Sequence, residues 1–360
     1  MSAAEYLFVT PEPLYTTSGR LFARGASTRL GSLLPMQGLR SLGYDARAVS
    51  TYGGSADAEA EIRQAQCVVF GEMFATPQGW PVDTYRQMLA AVRESTQRAV
   101  FYLADDHFDD AQFSGFYGEA FKCCRAVATV SENLAAAIRR FTDKPVFVAP
   151  EPCEGPRHAP RAIQAPRSLP VIDRLARWAG VSREPWRVHL LWFGNWFNFR
   201  PLRELLPQLE KLSAELPLSL DCITQPVEEV IGALGSTALR TRFVPWSLEA
   251  LDSALLACDL VLIPVELGNP RKLAKSPNRL TQALHGGRFV VAHPLPAYQP
   301  YAEFTHLGAD LCEGIRWAIR HPAEVLQRIR RGQAYLDRHH SLEVVARFWL
   351  DVFHPRQEQR

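Results

Sequence analysis

Positive charge is concentrated in the loop between residues 266 and 279, which reads ELGNPRKLAKSPNR. Ser276 is a favourable N-cap residue and Pro277 is tolerated in a first helical turn, so the pattern predicts a helix that begins here and ends at the glycine pair 286–287. The free N–H groups and the positive dipole end of such a helix, with cations around them, suit a phosphate or diphosphate. The alternative is an ordinary solvated basic loop. The candidate phosphate ligands are Lys272, Lys275, Ser276, Asn278 and Arg279.

A second candidate loop follows the apolar run 188–193 and contains Gly194, Asn195 and Asn198. Glycine lets a ligand approach the backbone closely, and the two asparagines offer amide donors and acceptors. We therefore expect these three residues to contribute to the same anion site, with a turn of packed aromatic rings as the alternative. The loop has neither the G-x-G-x-x-G spacing of dinucleotide-dependent dehydrogenases nor a P-loop, which weighs against both classes.

Acidic residues follow the apolar run 99–103 in the first half of the chain. Asp105, Asp106 and His107 lie where a strand is expected to end, so they are candidate catalytic residues that act as a general base or orient a hydroxyl group. Aspartates that cap a helix are the alternative. Paired aspartates also bind hard cations, but nothing in the sequence completes a coordination set, and we expect no metal.

The loop after the first apolar run is basic. Arg20, Arg24 and Arg29 are candidates for a site that holds an anionic acceptor or donor, and a solvated surface loop is the alternative. Glu72, which follows the third apolar run, is a weaker acid or base candidate.

These loops need a scaffold that brings strand ends together. Short apolar runs alternate with segments of helical period, which indicates βαβ units and parallel sheets. We predict an α/β fold of two Rossmann-like domains that face a cleft, with C-terminal helices that cross back to the first domain. The predicted strands are 6–10, 45–50, 67–71, 99–103, 126–130, 146–149, 188–193, 218–223, 241–244, 260–264 and 289–292. The clearest predicted helices are 28–42, 81–94, 133–141 (capped by Ser131), 202–215, 227–234, 248–257 and 277–285, with further starts at Pro322 and Ser341.

A proline-rich stretch separates the two series of strands, because repeated prolines hold neither a regular helix nor a central strand. We predict a first Rossmann-like domain over 1–155, a linker over 156–170, a second Rossmann-like domain over 171–335, and a C-terminal helix and tail over 336–360.

The overall charge gives no general attraction to polyanions. The 360 residues contain 40 Lys and Arg against 38 Asp and Glu, so the net charge of +2 argues against nucleic acid as a partner and allows at most a peripheral membrane contact. The 7 cysteines form no C-x-x-C pair, which favours a reducing compartment over a disulfide framework. No signal peptide or membrane-spanning stretch is visible, so we expect a cytoplasmic protein.

Several of these segments resemble a known pattern. Residues 128–134 (ATVSENL) and 144–151 (KPVFVAPE) resemble the end of the N-terminal domain in GT-B-fold glycosyltransferases. Residues 192–198 and 275–291 are similar to the donor-binding half of that group. The resemblance spans most of the chain and is that of a divergent, family 4-like glycosyltransferase.

The resemblance implies a glycosyltransferase that moves a sugar from a nucleotide-diphosphate-sugar donor, bound mainly by the second domain, to a hydroxyl acceptor held by the first. The acceptor would be a glycan, a lipid or a small molecule, and no cofactor is implied. Two glutamates contact the donor sugar and ribose in the glycogen-synthase-like group; here Gln282 stands where the second is expected, and Glu266 is the candidate for the first. The alternatives are a nucleotide-sugar epimerase or hydrolase of the same fold, or a non-catalytic nucleotide-sugar-binding module.

Overall fold

The computed structural model describes residues 4–355 except 18, 53–55, 74–78, 80, 93–98, 106 and 164–186. The candidate Asp106 and residues 164–170 of the predicted linker therefore lie outside the described residues.

Two compact units make up the chain. The first comprises residues 1–154, 273–276 and 337–360, and the second comprises residues 155–272 and 277–336. Two features differ from the predicted domains. The short segment Leu273–Ser276 belongs to the first unit, whereas Gly155, predicted in the first domain, and residues 156–163 of the predicted linker belong to the second.

The first unit is built on a parallel sheet. Its central strands are buried along their whole length, as a sheet covered by helices on both faces requires. The sheet has the order β4-β1-β5-β6-β7-β8, while β2 and β3 form a separate antiparallel hairpin. The strands are β1 (Tyr6–Thr10), β2 (Tyr15–Thr17), β3 (Arg20–Phe22), β4 (Ala46–Ser50), β5 (Cys67–Phe70), β6 (Ala99–Leu103), β7 (Ala126–Thr129) and β8 (Val146–Val148).

Helices cover this first sheet. The C-terminal helix packs on Leu34–Ser41, and its Trp349 meets Phe8 edge to face at 5.9 Å between ring centroids. Gly38 permits the close approach, because a Cβ there would lie 2.5 Å from the Leu342 carbonyl oxygen. The predicted return of the C-terminal helices to the first domain is confirmed. The helices are Ala26–Thr28, the π-helical Arg29–Leu33 and Leu34–Ser41 in succession, then Ala56–Gln64, Val82–Ala90, Ser114–Lys122, Glu132–Arg139 and Leu342–Phe353.

The second unit is built on another parallel sheet, with the order β11-β10-β9-β12-β13-β14. Its strands are β9 (Val188–Phe193), β10 (Leu218–Thr224), β11 (Arg240–Pro245), β12 (Leu260–Ile263), β13 (Phe289–Ala292) and β14 (His306–Leu307). Its helices are Arg200–Glu215, Glu228–Ser236, Leu248–Ala257, Pro270–Leu273, Asn278–His285, Leu311–Arg320 and Pro322–His339, the last of which ends in the first unit.

The helix Asn278–His285 ends at the predicted glycine pair. Gly287 has φ of +69°, the left-handed conformation that glycine adopts just after a helix. A Cβ at this position would lie 2.4 Å from the Ala159 carbonyl oxygen. Only glycine fits there, and the Arg161 N–H donates to the Gly287 carbonyl over 3.1 Å, so this turn packs directly on residues 158–161.

Some elements escaped the sequence analysis. The hairpin β2–β3 is largely exposed and therefore lacks an apolar run, and β14 has only two residues. The helices Ala56–Gln64 and Ser114–Lys122 were not among the predicted ones. All 7 cysteines are free thiols. No helix among the described residues is long and apolar enough to span a membrane.

Candidate functional site

The strand order of the second sheet places two of the predicted loops side by side. From β9 the chain passes to β10 and β11 on one side, and β12, β13 and β14 lie on the other. The carboxyl ends of β9 and β12 therefore form the switch point at which open α/β sheets bind ligands. The loop that begins at Gly194 and the loop that begins at Pro264 both start there.

Polar contacts join these two loops. The Lys272 ammonium donates a hydrogen bond to Asn198 Oδ1 over 2.6 Å. Arg200 Nη1 lies 3.7 Å from Glu266 Oε1, and the other carboxylate oxygen of Glu266 accepts from Asn269 Nδ2 over 3.3 Å. Three of the predicted residues, Asn198, Glu266 and Lys272, thus meet at one edge of the sheet.

Arg279 lies over the first of these loops. A Cβ built on Gly194 would be 3.3 Å from Arg279 Nη1, so the guanidinium packs directly on the glycine backbone, whose φ is +156°. Nη1 is buried and makes no hydrogen bond with any described residue. An unsatisfied nitrogen on a permanently charged group is costly, so it indicates a place for an anionic oxygen.

Two further features surround Arg279. The residue occupies the first turn of the helix Asn278–His285, where free N–H groups and the helix dipole favour negative charge. Burial raises the pKa of Tyr298, while the charge of Arg279 and a hydrogen bond from it act in the opposite direction. Tyr298 therefore holds the guanidinium in place.

An aromatic pair follows Gly194. Asn195 caps the short turn Trp196–Asn198 by accepting a hydrogen bond from the Phe197 N–H over 3.1 Å. The centroids of the Trp196 and Phe197 rings lie 4.0 Å apart, and Phe197 is 67% exposed. The predicted alternative of packed aromatic rings is therefore present at this loop beside the polar contacts.

Ser276 does not cap the helix. The N-cap is Pro277, without a side-chain hydrogen bond, and the Ser276 hydroxyl bonds instead to the buried carboxyl of Glu151. The reason is that Leu273–Ser276 is held by the first unit. Ser131 Oγ donates to the Ala274 carbonyl over 2.6 Å, and Asn133 Nδ2 donates to the Leu273 carbonyl over 3.1 Å.

Lys275 also makes its contact within the first unit. Its ammonium forms an ion pair with Asp105, and the two side chains are 35% and 40% exposed. The predicted phosphate ligands are thus divided. Ser276 and Lys275 contact acids of the first unit, whereas Lys272, Asn278 and Arg279 lie in the second.

Two buried glutamates support this ion pair. Glu72 Oε2 accepts the Ala104 N–H over 2.8 Å, directly beside Asp105. Burial is the main cause that raises the pKa of Glu72, and the charge of Asp105 raises it further. Burial likewise raises the pKa of Glu151 to about 7, although the Ser276 hydrogen bond lowers it. Burial therefore stabilises the protonated form of both carboxyls relative to an exposed glutamate.

One ring nitrogen of His107 is engaged in hydrogen bonds within the first unit. Its Nε2 lies 2.6 Å from the Met73 carbonyl oxygen and 2.9 Å from Tyr117 Oη. A carbonyl oxygen only accepts, so Nε2 bears the proton and donates it. A role for His107 as a base would have to use Nδ1.

Part of the positive charge of the predicted anion loop in the first unit is neutralised by an acid. Arg29 is buried and forms a bidentate pair with Glu154, at 2.6 Å and 3.1 Å, while it also donates to two backbone carbonyls. Arg20 and Arg24 are exposed, and Arg24 lies 5.8 Å from the Tyr15 ring centroid. Arg29 is thus paired with Glu154, whereas an anion-binding role for Arg20 and Arg24 stays a prediction.

The sequence analysis missed Glu151, Arg200 and Tyr298 as site residues. Glu151 lies three residues after the end of β8, so the rule that ligands lie after strand ends could have found it. Arg200 and Tyr298 act through partners far away in sequence, and no local signal marks them. Gln282 is half-buried and lies three residues after Arg279 on the same helix. Among the described residues, no group of three or more His, Cys, Asp or Glu side chains is arranged to hold a metal ion.

No protein-family model and no curated protein matches the sequence. Solved structures do match. Anabaena HepE, in complex with UDP and glucose, matches with a TM-score of 0.66 at 12% identity over 98% of this chain and 100% of that one. An alpha-glucosyltransferase in complex with UDP gives 0.64 at 8% identity over 98% and 100%.

Two other matches agree with these. A glycosyltransferase from Rickettsia africae gives a TM-score of 0.61 at 10% identity over 98% of each chain. S. aureus TarM, in complex with UDP and other ligands, gives 0.56 at 11% identity, where 81% of this chain covers only 56% of TarM. At such identities the likeness concerns the fold. The chain has the two Rossmann-like units of GT-B-fold glycosyltransferases, which confirms the predicted fold class.

Proposed function

We propose that the protein is a glycosyltransferase that uses a nucleoside-diphosphate sugar, with the diphosphate bound by the second unit at Arg279. The observation on which this depends is the buried, unpartnered Nη1 of Arg279. That nitrogen lies against Gly194, in the first helical turn at the switch point of the sheet. UDP complexes among proteins of the same fold support a nucleotide ligand.

The proposed reaction replaces one bond at the anomeric carbon by another. The bond to the diphosphate oxygen breaks, a bond to the acceptor oxygen forms, and the acceptor hydroxyl loses its proton. The negative charge that develops on the leaving diphosphate is stabilised by the Arg279 guanidinium and the helix N–H groups, which are fixed before reaction. Lys272 adds a cation at the same edge. These groups suffice for a reaction without metal, which we also propose.

Other predicted residues receive roles within this proposal. Gln282 and Glu266 would contact the ribose or the donor sugar, and the acceptor would be held by the first unit. We further propose that the protein works in the cytoplasm, where nucleotide sugars are made available as soluble donors.

The proposal is tested by screening nucleoside diphosphates and their glucose conjugates in a thermal-shift assay, since a ligand that binds only the folded state raises the melting temperature. Release of nucleoside diphosphate is then measured with and without a panel of methyl glycosides. We expect release that depends on the acceptor. Equal consumption of donor without acceptor would instead identify a hydrolase or an epimerase, and binding without any turnover would identify a binding module.

A further inference from the structure

The ion pair between Asp105 and Lys275 has two features that a surface salt bridge lacks. Buried glutamates lie beside it, and hydrogen bonds hold the chain segments that carry both partners. Asp105 and Lys275 are 40% and 35% exposed, whereas Glu72 and Glu151 beneath them are 8% and 6% exposed. A solvated pair would gain nothing from such a support.

Each partner of the pair has its own buried glutamate. Glu72 fixes the Asp105 side by accepting the Ala104 N–H over 2.8 Å. Glu151 fixes the Lys275 side through the Ser276 hydroxyl. Buried carboxyls are expensive to maintain, so their location under this one pair calls for a function.

Unused hydrogen-bonding capacity is present in the same layer. Glu151 Oε2 and Tyr102 Oη are buried, and neither has a hydrogen-bond partner among the described residues. The two groups interact electrostatically, since the charge of Glu151 is one cause of the raised pKa of Tyr102. Buried polar atoms without a hydrogen-bond partner are uncommon in folded proteins, so this layer departs from ordinary core packing.

On the basis of the proposed function, we propose that Asp105 and Lys275 form the acceptor subsite, with Glu72 and Glu151 as positioning residues, and that the acceptor is an uncharged polyol such as a neutral sugar. The carboxylate accepts a hydrogen bond from one hydroxyl and the ammonium donates one to its neighbour, as vicinal hydroxyls require. The pair is neutral overall, and the buried Arg29 of the first unit is likewise neutralised by Glu154. Neither ion pair therefore offers a net positive charge to an anionic acceptor.

The class of acceptor is tested with UDP-glucose as donor. Methyl α-glucoside, methyl α-mannoside and methyl β-galactoside are the neutral probes, and glucose 6-phosphate and glycerol 3-phosphate are the anionic ones. We expect glucosylation of at least one neutral probe with a kcat/KM at least about 10-fold above either anionic probe. Preference for a phosphorylated probe would overturn the proposed acceptor class.

The residues are tested with Asp105→Asn and Lys275→Met, and with Asp109→Asn as a matched control because Asp109 is an exposed acid on the following turn. We expect kcat/KM for the acceptor to fall by about 30-fold or more in the two site variants, while the Kd for UDP stays within about 2-fold of wild type. An unchanged acceptor kcat/KM with normal UDP binding would refute the subsite alone. Failure of the wild-type protein to bind any nucleoside diphosphate would refute the proposed function instead.

The positioning role is tested by rescue. Glu72→Gln and Glu151→Gln keep an oxygen that accepts the Ala104 N–H or the Ser276 hydroxyl, whereas Glu72→Ala and Glu151→Ala do not. We expect the glutamine variants to retain acceptor kcat/KM within about 3-fold and the alanine variants to lose about 10-fold, with melting temperatures recorded for all four. Folded alanine variants with wild-type acceptor KM and kcat would show that the glutamates have no positioning role.

Discussion

The carboxyl edges of the two sheets differ in how their charged groups are paired. At the second sheet, a guanidinium nitrogen is left without a partner beside a helix N-terminus. At the first sheet, two cations are paired with acids, Lys275 with Asp105 and Arg29 with Glu154. This difference is the basis of our proposals that an anion binds at the second edge and that uncharged hydroxyl groups bind at the first.

The comparison is tested most strongly by Arg279→Met, which keeps the aliphatic packing on Gly194 but removes the charge. We expect UDP binding to weaken by about 100-fold, because a buried charge-assisted contact to phosphate is lost. Isothermal titration calorimetry provides the measurement. Arg320→Met is the matched control, since Arg320 is 63% exposed in the last turn of another helix of the same unit. Equal losses in both variants would refute a specific role for Arg279.

The first edge is tested through the buried acid Glu151. Its folded pKa of about 7 exceeds the ordinary value of 4.5, so the folded protein binds the extra proton between these pH values and loses stability as pH rises through that window. Glu151→Gln removes this dependence. We expect its free energy of unfolding, relative to wild type, to increase on the order of 2 kcal/mol between pH 4.5 and pH 8.

Urea unfolding of both proteins at several pH values measures this difference. The neighbouring titratable groups Glu72, Tyr102, Cys153 and His340 are common to both proteins, so their own pH dependence largely cancels in the difference. A difference that stays constant with pH would mean that Glu151 titrates normally.

Gly194→Ala tests the close approach at the second edge. The added Cβ would lie 3.3 Å from Arg279 Nη1 at a backbone φ of +156°, so the guanidinium must shift. We expect UDP affinity to fall by about 10-fold, and the melting temperature to fall as well because an alanine at this φ strains the backbone. Gly232→Ala serves as control, because a Cβ there meets no atom within 4 Å. Wild-type UDP affinity in Gly194→Ala would show that the contact between Gly194 and Arg279 does not matter for UDP binding.

Lys272→Met is expected to have the smallest effect. The ammonium bonds to Asn198 and joins the two loops, so its removal loses one partly solvated cation near the anion. We expect UDP affinity to fall by about 3-fold, and the loss to shrink at high salt, because exposed charges are screened. Lys211→Met, an exposed lysine on the helix Arg200–Glu215, is the control. A loss as large as that of Arg279→Met would show that Lys272 contributes as much to UDP binding as Arg279 does.

Much of this architecture was predictable from local pattern. Buried parallel strands read as apolar runs, Ser131 caps its helix as expected by accepting the Leu134 N–H over 3.2 Å, and the glycine pair ends the helix Asn278–His285. The same capping rule failed at Ser276, because a hydrogen bond to Glu151, 125 residues earlier in the chain, competes with the cap. Local rules do not contain such contacts.

The candidate site was predictable only in part for the same reason. Gly194, Lys272 and Arg279 follow strand ends that the apolar pattern located, so their common edge could be inferred. The pairing of Lys275 with Asp105 depends on which unit binds the segment Leu273–Ser276, and that is decided by side chains such as Asn133. Cations that look equivalent in sequence thus differ in what they face.

A crystal structure of the protein grown with UDP tests the central claim most directly. The account predicts a diphosphate oxygen within about 3 Å of Arg279 Nη1, with further hydrogen bonds from the N–H groups that begin the helix Asn278–His285. A diphosphate bound to Lys275 in the first unit, with Arg279 Nη1 still unpartnered, would contradict it.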